Sequence, residues 1–355
     1  LSRPFVSVLI DTYNHEKFIE QAITSVLEQN FPLSDYEILV VDDGSTDRTP
    51  ELVKKFAPRV AYLPKKNGGQ ASAFNFGIPQ CRGEIVAFLD GDDWWATDKL
   101  ATVIRAFAEA PSVGIVGHGT INVQRDGTEQ VETLKDGFRF TASNREGALL
   151  FRRRGSFLGT SRMAIRAELL RRIGSVPEEI TIQADEYLFT MAAALSEAAV
   201  LPEPLTFYRL HADNLFQTAS DDQEKLRRVQ RALALLASTL LERLLAFGID
   251  PAVADLVVEY TQACADRLRL RLDGGWSCET ARTERTLYKI LHPEARFSHR
   301  ALKRLILWAA LFVPPKIFYR AQSFVARNDF YHRVRARLLP VPGMEHIQRD
   351  WRTRL

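Results

Sequence analysis

At 355 residues, 46% apolar and 26% charged, the chain is long enough to bury a sizeable core as one large α/β domain with attachments or as two domains. With 19 Gly, 16 Pro and no internal repeat, collagen-like, disordered and solenoid architectures are excluded, and three scattered cysteines (Cys81, Cys264, Cys278) without a CxxC pair speak against a disulfide framework or a thiolate zinc site. The net charge is only +3, but residues 296–337 hold ten Lys or Arg against one acid, Asp329, so the positive excess lies in the tail.

The first elements alternate strand and helix. FVSVLIDTY (5–13), YEILVVDDG (36–44) and EIVAFLDGDD (84–93) are short apolar runs that end in polar loops, as strands buried on both faces of a parallel sheet do. Between the first two, Phe18, Ile19, Ala22, Ile23, Val26 and Leu27 share one helical face. A shorter helix follows STDRTPEL, with Asp47 or a neighbouring hydroxyl available as a cap and Pro50 suited to the first turn. Such βαβαβ alternation predicts a doubly wound α/β fold, in which ligands bind outside the carboxyl ends of the strands. Asp11 to Asn14, Asp42 to Ser45 and Asp90 to Asp93 should therefore face one crevice.

Further on, the sequence predicts short strands over 113–142 with a turn at RDGT, a helix through DEYLFTMAAAL (185–195) and a strand at LTFYRL. From about 219 amphipathic helices take over. The expected organisation is a catalytic-type domain over 1–218, a helical subdomain over 219–295 and basic amphipathic helices over 296–355.

Asp90-Gly91-Asp92-Asp93 gathers carboxylates on a tight loop at a strand end, a set of hard oxygen donors suited to Mg2+ or Mn2+ with positions left for a diphosphate. The same residues also suit a plain turn that caps a helix entered at Trp94. Asp42-Asp43-Gly44-Ser45 is a second acidic strand end, able either to turn the chain or to accept a hydrogen bond from a nucleobase imide. Asn67-Gly68-Gly69-Gln70-Ala71-Ser72-Ala73 opens a helix with small residues, as a loop or as a seat for a nucleotide sugar near the helix N-terminus. No stretch matches G-x-G-x-x-G or G-x-x-x-x-G-K-[ST], so neither the dinucleotide nor the P-loop fingerprint is present.

As an ordered set, SVLIDTYNHEKFIEQAITSVLEQ, VVDDGSTDRT, KNGGQASAFNFGI, FLDGDDWW, ADEYLF (184–189) and YRLHADN (208–214) resemble glycosyltransferase family 2, the inverting nucleotide-sugar transferases of GT-A fold. The resemblance covers roughly residues 3 to 218. It implies a doubly wound, mostly parallel sheet flanked by helices, here with an appended α-helical C-terminal region. It also implies that Tyr13 packs against the base, that Asp43 binds the imide edge, and that Asp11, Asn67, Gly69 and Gly91 line the donor pocket. Asp90 would contact ribose or metal-bound water, Asp92 and His211 would ligate a divalent cation (Mn2+ or Mg2+), and Asp185 would be the general base, with Glu186 its competitor. Asp11 stands where many members have Pro, Phe74 where many have Arg, and Ala184 where many have an acid.

In such a reaction a carboxylate removes the acceptor hydroxyl proton while a divalent metal offsets charge on the departing diphosphate. The expected activity is transfer from a nucleotide sugar, UDP-linked in the first instance, to a glycan or lipid-linked acceptor. The alternatives are a nucleotidyltransferase, which would release pyrophosphate, and a degenerate nucleotide-sugar-binding module.

The tail ALKRLILWAALFVPPKIFYRAQSFVARNDFYHRVRARLL interleaves large apolar residues with Lys and Arg, and Pro314-Pro315 should divide it into two helices. It suits an anionic membrane surface or a homodimer contact, and no nucleic-acid motif accompanies it. Arg152-Arg153-Arg154 is a second basic cluster, available to acceptor phosphates or simply exposed. Without a leader-like start or a run of ~18 apolar residues, the expected location is cytoplasmic, peripheral at the inner membrane face at most.

Overall fold

The computed structural model describes residues 5–211, 222–292 and 297–326. Two compact units divide the chain, Leu1–Asn214 with Glu242–Val257, and Leu215–Leu241 with Val258–Leu355. The boundary expected near 218 lies outside the described residues.

The first unit follows the order β1 (Val6–Thr12), α1 (Ile19–Leu27), β2 (Tyr36–Asp42), α2 (Thr49–Lys54), β3 (Val60–Pro64), α3 (Gln70–Gly77), β4 (Ile85–Asp90), β5 (Trp94–Trp95) and α4 (Lys99–Glu109). It continues with β6 (Val113–Val123), β7 (Glu129–Glu132), β8 (Phe138–Phe140), α5 (Arg145–Arg154), β9 (Ala164–Arg166), α6 (Ala167–Ile173), α7 (Ala184–Leu195) and β10 (Glu197–Arg209). Among the described residues the strands form one sheet ordered β3-β2-β1-β4-β9-β6-β10-β5, with β7 on β6 and β8 on β10. From β3 to β4 the neighbours are parallel, and β9 then enters antiparallel between β4 and β6.

Strand alternation explains the layering. Val6, Val8 and Ile10 of β1 pack with Ile38 and Val40 of β2 against Ile19, Ala22, Ile23 and Val26 of α1 and against Leu100, Val103 and Phe107 of α4. Leu9, Leu39 and Val41 point to the other face and are buried as well. Each such side chain removed from water contributes roughly 1.5–3 kcal/mol, which is why these strands read as continuous apolar runs.

Three local expectations need correction. The acidic tetrad does not cap a helix at Trp94, because Trp94 and Trp95 form β5, paired antiparallel with Phe207 and Thr206 of β10, and α4 begins only at Lys99. β3, absent from the sequence-based element list, is a half-buried edge strand beside β2. β6 spans eleven residues rather than being short.

The second unit is helical. Its elements come from α8 (Gln223–Ala246), α9 (Pro251–Leu272), α10 (Ser277–Leu291), α11 (Phe297–Ala310) and α12 (Pro315–Ala326), and α8 and α9 contribute residues to both units. Pro314 and Pro315 stand between α11 and α12, with Pro315 at the first position of α12, where its fixed φ fits and its missing N–H costs no helical hydrogen bond. Leu270, Ala310, Phe318 and Tyr319 form a small core. Beside it Glu284, fully buried, accepts from Arg267 Nε at 2.8 Å and Lys303 Nζ at 3.1 Å. Despite burial, those two cations hold its carboxyl below the usual range.

Candidate active site

The parallel register of β1, β2 and β4 brings three loops together. Asp11 pairs with Asp90 across β1 and β4, and Thr12 pairs with Asp42 across β1 and β2. The loop after β4 lies so close to β1 that a Cβ on Gly91 would stand 2.6 Å from Thr12 Oγ1 and 2.8 Å from His15 Nδ1, so only glycine fits there.

Acids dominate the crevice. Burial, then the charge of Asp92, pushes the Asp11 carboxyl up to about 8, and its Oδ1 is buried without a hydrogen-bond partner. Burial and the neighbouring Asp11 and Asp92 raise Asp90 well above the ordinary range, while Asp93 is raised by burial and Asp92. Asp185 contributes to the repulsion felt by both Asp11 and Asp90, so the α7 carboxylate belongs to the same cluster. Asp92 moves the other way: burial opposes ionisation, but a 2.8 Å hydrogen bond between its Oδ2 and His211 Nε2, with His15 Nε2 at 4.0 Å, holds it below the usual value.

The strand β10 steadies this loop. The Arg209 amide N–H donates to Asp93 Oδ1 at 2.9 Å, and its Nε donates to the Asp92 carbonyl at 2.9 Å. Its guanidinium lies over the rings of Phe18 (4.7 Å) and Trp94 (4.4 Å). His211 follows two residues later with its ring 4.9 Å from that of Phe18.

On the β2 side, Asp42 is a turn former that accepts from Ser45 N at 2.8 Å and Tyr62 Oη at 2.7 Å. Asp43 is buried and accepts from Lys65 Nζ at 2.6 Å, Gly68 N at 3.0 Å and Gly69 N at 2.7 Å. It thus holds the glycine loop that leads into α3. Gly69 has φ +84°, a left-handed backbone that glycine adopts without strain, and Gln70 begins the helix there. Tyr13 is 45% exposed at the mouth, and Asn67 is exposed beside it in sequence to the glycines. Phe74 is fully buried edge-on against Phe88, so it belongs to the core and not to the crevice wall.

The far wall comes from a tight turn, Thr160–Arg162, and from α7. Thr160 N–H donates to Asp185 Oδ2 at 3.2 Å. Ser161 Oγ accepts from Asp90 N–H at 3.1 Å and donates to Asp90 Oδ2 at 3.2 Å. Gln70 Nε2 spans the gap, donating to Asp90 Oδ1 at 3.2 Å and Thr160 Oγ1 at 3.3 Å. Asp185 is half-buried and Glu186 is buried.

His15, Gln70, Thr160, Ser161 and Arg209 were not singled out by sequence reasoning, although His15, Gln70 and Arg209 lie inside the quoted motifs. Thr160 and Ser161 carry no composition or spacing signal. Arg152, Arg153 and Arg154 end α5, where basic side chains oppose the helix dipole favourably.

Asp92 and His211 are an oxygen and imidazole pair compatible with Mn2+ or Mg2+, and a cation beside Asp11 and Asp90 would relieve their mutual repulsion. Among the described residues no group of three or more His, Cys, Asp or Glu is arranged to hold a metal by itself. The donor set therefore fits an open cation position that needs oxygens from elsewhere.

Residues 7–174 match the family model Glycosyl transferase family 2. An uncharacterized glycosyltransferase of Nostoc sp. is 32% identical over 255 residues, which cover 70% of this chain and 78% of that protein. The chain belongs to glycosyltransferase family 2 and is a glycosyltransferase. It is also 29% identical over 247 residues to the poly(ribitol-phosphate) beta-N-acetylglucosaminyltransferase TarS of Staphylococcus aureus, covering 66% of this chain but 41% of TarS. Residues 1–349 of TarS in complex with UDP-GlcNAc share the fold with a TM-score of 0.59 at 21% identity over 91% of each chain. The mannosyltransferase PcManGT from Pyrobaculum calidifontis, in complex with GDP-Man and Mn2+, gives 0.52 at 22% identity over 94% of this chain and 87% of its own. The fold is the GT-A type that the resemblance implied.

Proposed function

We propose that the chain is a metal-dependent, inverting transferase that moves a sugar from a UDP-linked donor to a hydroxyl of a glycan or lipid-linked acceptor, at the cytoplasmic side of a membrane. The observation that carries this reading is the convergence of the Asp185 carboxylate with Asp11, Asp90 and Asp92 around one crevice, bridged by Thr160 and Ser161. On this reading Asp185 is the base and the Asp90–Asp93 loop holds the cation, and the two act on one reacting centre. The UDP-GlcNAc held by TarS and the GDP-Man and Mn2+ held by PcManGT support the donor class and the metal.

The residue roles follow from chemistry. Asp185 accepts the proton of the acceptor hydroxyl, whose oxygen bonds to the anomeric carbon as the bond from that carbon to the diphosphate oxygen breaks on the opposite side. Thr160 N–H fixes Asp185 Oδ2 and orients the carboxylate. The partial exposure of Asp185 against the burial of Glu186 favours Asp185 as the base. Asp92 and His211 hold the cation, which when bound offsets charge developing on the departing diphosphate. On this reading Tyr13, exposed just after β1, would pack on the base, and Asp43, which holds Gly68 and Gly69, would shape the donor pocket with Asn67, Gly91 and Asp11.

The test is nucleoside diphosphate release from UDP-, GDP- and dTDP-sugars with Mn2+, Mg2+ or chelator, in the parent and in Asp92→Ala. Metal-dependent release from one donor that is lost in the variant supports the reading. Pyrophosphate from a sugar phosphate and a nucleoside triphosphate would instead identify a nucleotidyltransferase. Donor-induced thermal stabilisation with no release, with acceptors supplied, would identify a binding module.

A further inference from the structure

α11 and α12 present two different apolar surfaces. One is internal: Ala310, Phe318 and Tyr319 pack with Leu270, and Lys303 on that side reaches Glu284. The other faces outward. Leu305 is 70% exposed, Trp308 67% and Phe312 70%, and they recur at i, i+3 and i+7 along one stripe of the helix and the turn that follows it. Trp308 and Phe312 touch, with ring centroids 5.2 Å apart, and Ile317 of α12 is 57% exposed. Ala310 lies on the opposite side of α11 from this stripe, so the outward residues are not misplaced core.

Charge decides what the stripe suits. Between Phe297 and Ala326 there is no Asp or Glu, and the basic residues are Arg300, Lys303, Arg304, Lys316 and Arg320. Lys303 is spent on Glu284, while Arg304, Lys316 and Arg320 are exposed. A solvated helix face normally mixes both signs and few large apolar groups, whereas an amphipathic helix on a membrane pairs Trp, Phe and Leu with Lys and Arg. α11 has 14 residues, about 21 Å at 1.5 Å per residue, against the ~30 Å of a bilayer core. No helix among the described residues is long and apolar enough to cross a membrane. A helix of this kind lies in the interface.

We infer that the outward face of α11 and α12, centred on Trp308 and Phe312 and flanked by Arg304, Lys316 and Arg320, docks on an anionic lipid surface. Trp308 and Phe312 enter the headgroup and acyl boundary, and the cations pair with lipid phosphates. A lipid carrying the negative charge supplies both halves of what the face presents, apolar depth and anionic headgroups. The inference does not rest on the sugar-transfer reading, and its test uses no activity.

The full chain is sedimented with vesicles of phosphatidylcholine alone or with 30% phosphatidylglycerol, a probe composition of order-of-magnitude anionic content. Binding to the anionic vesicles, absent with phosphatidylcholine and weakened by 0.5 M NaCl, is expected on the scale of roughly tenfold. Trp308→Ser with Phe312→Ser should lower partitioning at least about tenfold, and Lys316→Glu with Arg320→Glu by a similar factor. All four positions are exposed, so the fold should survive, which equal far-ultraviolet circular dichroism and melting temperatures will check. Unchanged vesicle binding in both double variants overturns the inference. So does a dimer in light scattering that Trp308→Ser with Phe312→Ser converts to monomer, since a second copy would then be the occupant. Failure to bind anionic vesicles at low salt overturns it outright.

Discussion

His211 Nε2 lies 2.8 Å from Asp92 Oδ2, joining the end of β10 to the loop after β4 across 119 residues of sequence. On the proposed reading this pair shares the cation. Asp92→Ala and His211→Ala should each lower metal-dependent transfer by at least about 100-fold. His211→Ala should also weaken Mn2+ binding measured directly by electron paramagnetic resonance. Unchanged Mn2+ affinity in His211→Ala would reduce the histidine to a structural partner of Asp92.

Asp185→Asn keeps the shape of the side chain and its contact with Thr160 N–H but removes the basic oxygen. Transfer should fall about 10²- to 10⁴-fold with donor affinity, read by calorimetry, within about threefold of the parent. The companion Glu186→Gln should retain most activity. The opposite pattern would move the base to Glu186.

Asp11 gives a pH signature. Its carboxyl is raised from the ordinary 3.8 to about 8, so the unfolded chain releases this proton first and the native state keeps it. Between those values the native state binds more protons than the unfolded one, and stability declines as pH rises, levelling off above about 8. Asp11→Asn removes that decline. Without added metal, thermal melts from pH 5 to pH 9 should show the variant gaining on the parent as pH rises, whereas parallel curves would contradict the assignment.

Glu284 behaves in the reverse sense. Arg267 and Lys303 hold its carboxyl below the usual glutamate range, so its contribution is present at neutral pH and is lost as pH falls through and below that range. Arg267→Ala leaves a buried carboxylate short of a partner and should cost about 3–5 kcal/mol by urea denaturation at pH 7. The deficit should shrink toward acid pH, and a pH-independent deficit would point to lost packing alone.

The strand ends were readable because β1, β2 and β4 are buried on both faces and carry their chemistry where the apolar run stops. Asp11, Asp43 and Asp90 stand at the ends of those runs and are legible as one group from the sequence alone. β3 escaped because VAYLP is half-buried at a sheet edge and ends in proline, so neither a full apolar run nor a clean alternation marks it. The alternative of a helix capped at Trp94 does not hold, because pairing of Trp94 and Trp95 with Phe207 and Thr206 is a contact over more than a hundred residues that local cap preference does not report. Thr160 and Ser161 were invisible for a related reason: β9 is three residues long, and its antiparallel entry beside β4 is what brings the turn to Asp90.

Ser161 has a second role that reaches beyond the chemistry. Its hydroxyl serves Asp90, while its carbonyl oxygen accepts from Lys99 Nζ at 2.6 Å, Thr206 Oγ1 at 2.6 Å and Trp95 Nε1 at 3.2 Å. One residue thus ties the acidic loop to α4, β5 and β10. A change of length or register in 159–162 would disturb both walls of the crevice and three packed elements at once. The turn reaches β7 as well, where Arg162 Nη2 donates to Glu132 Oε2 at 3.0 Å, so the acidic loop cannot be reshaped without moving the elements packed around it.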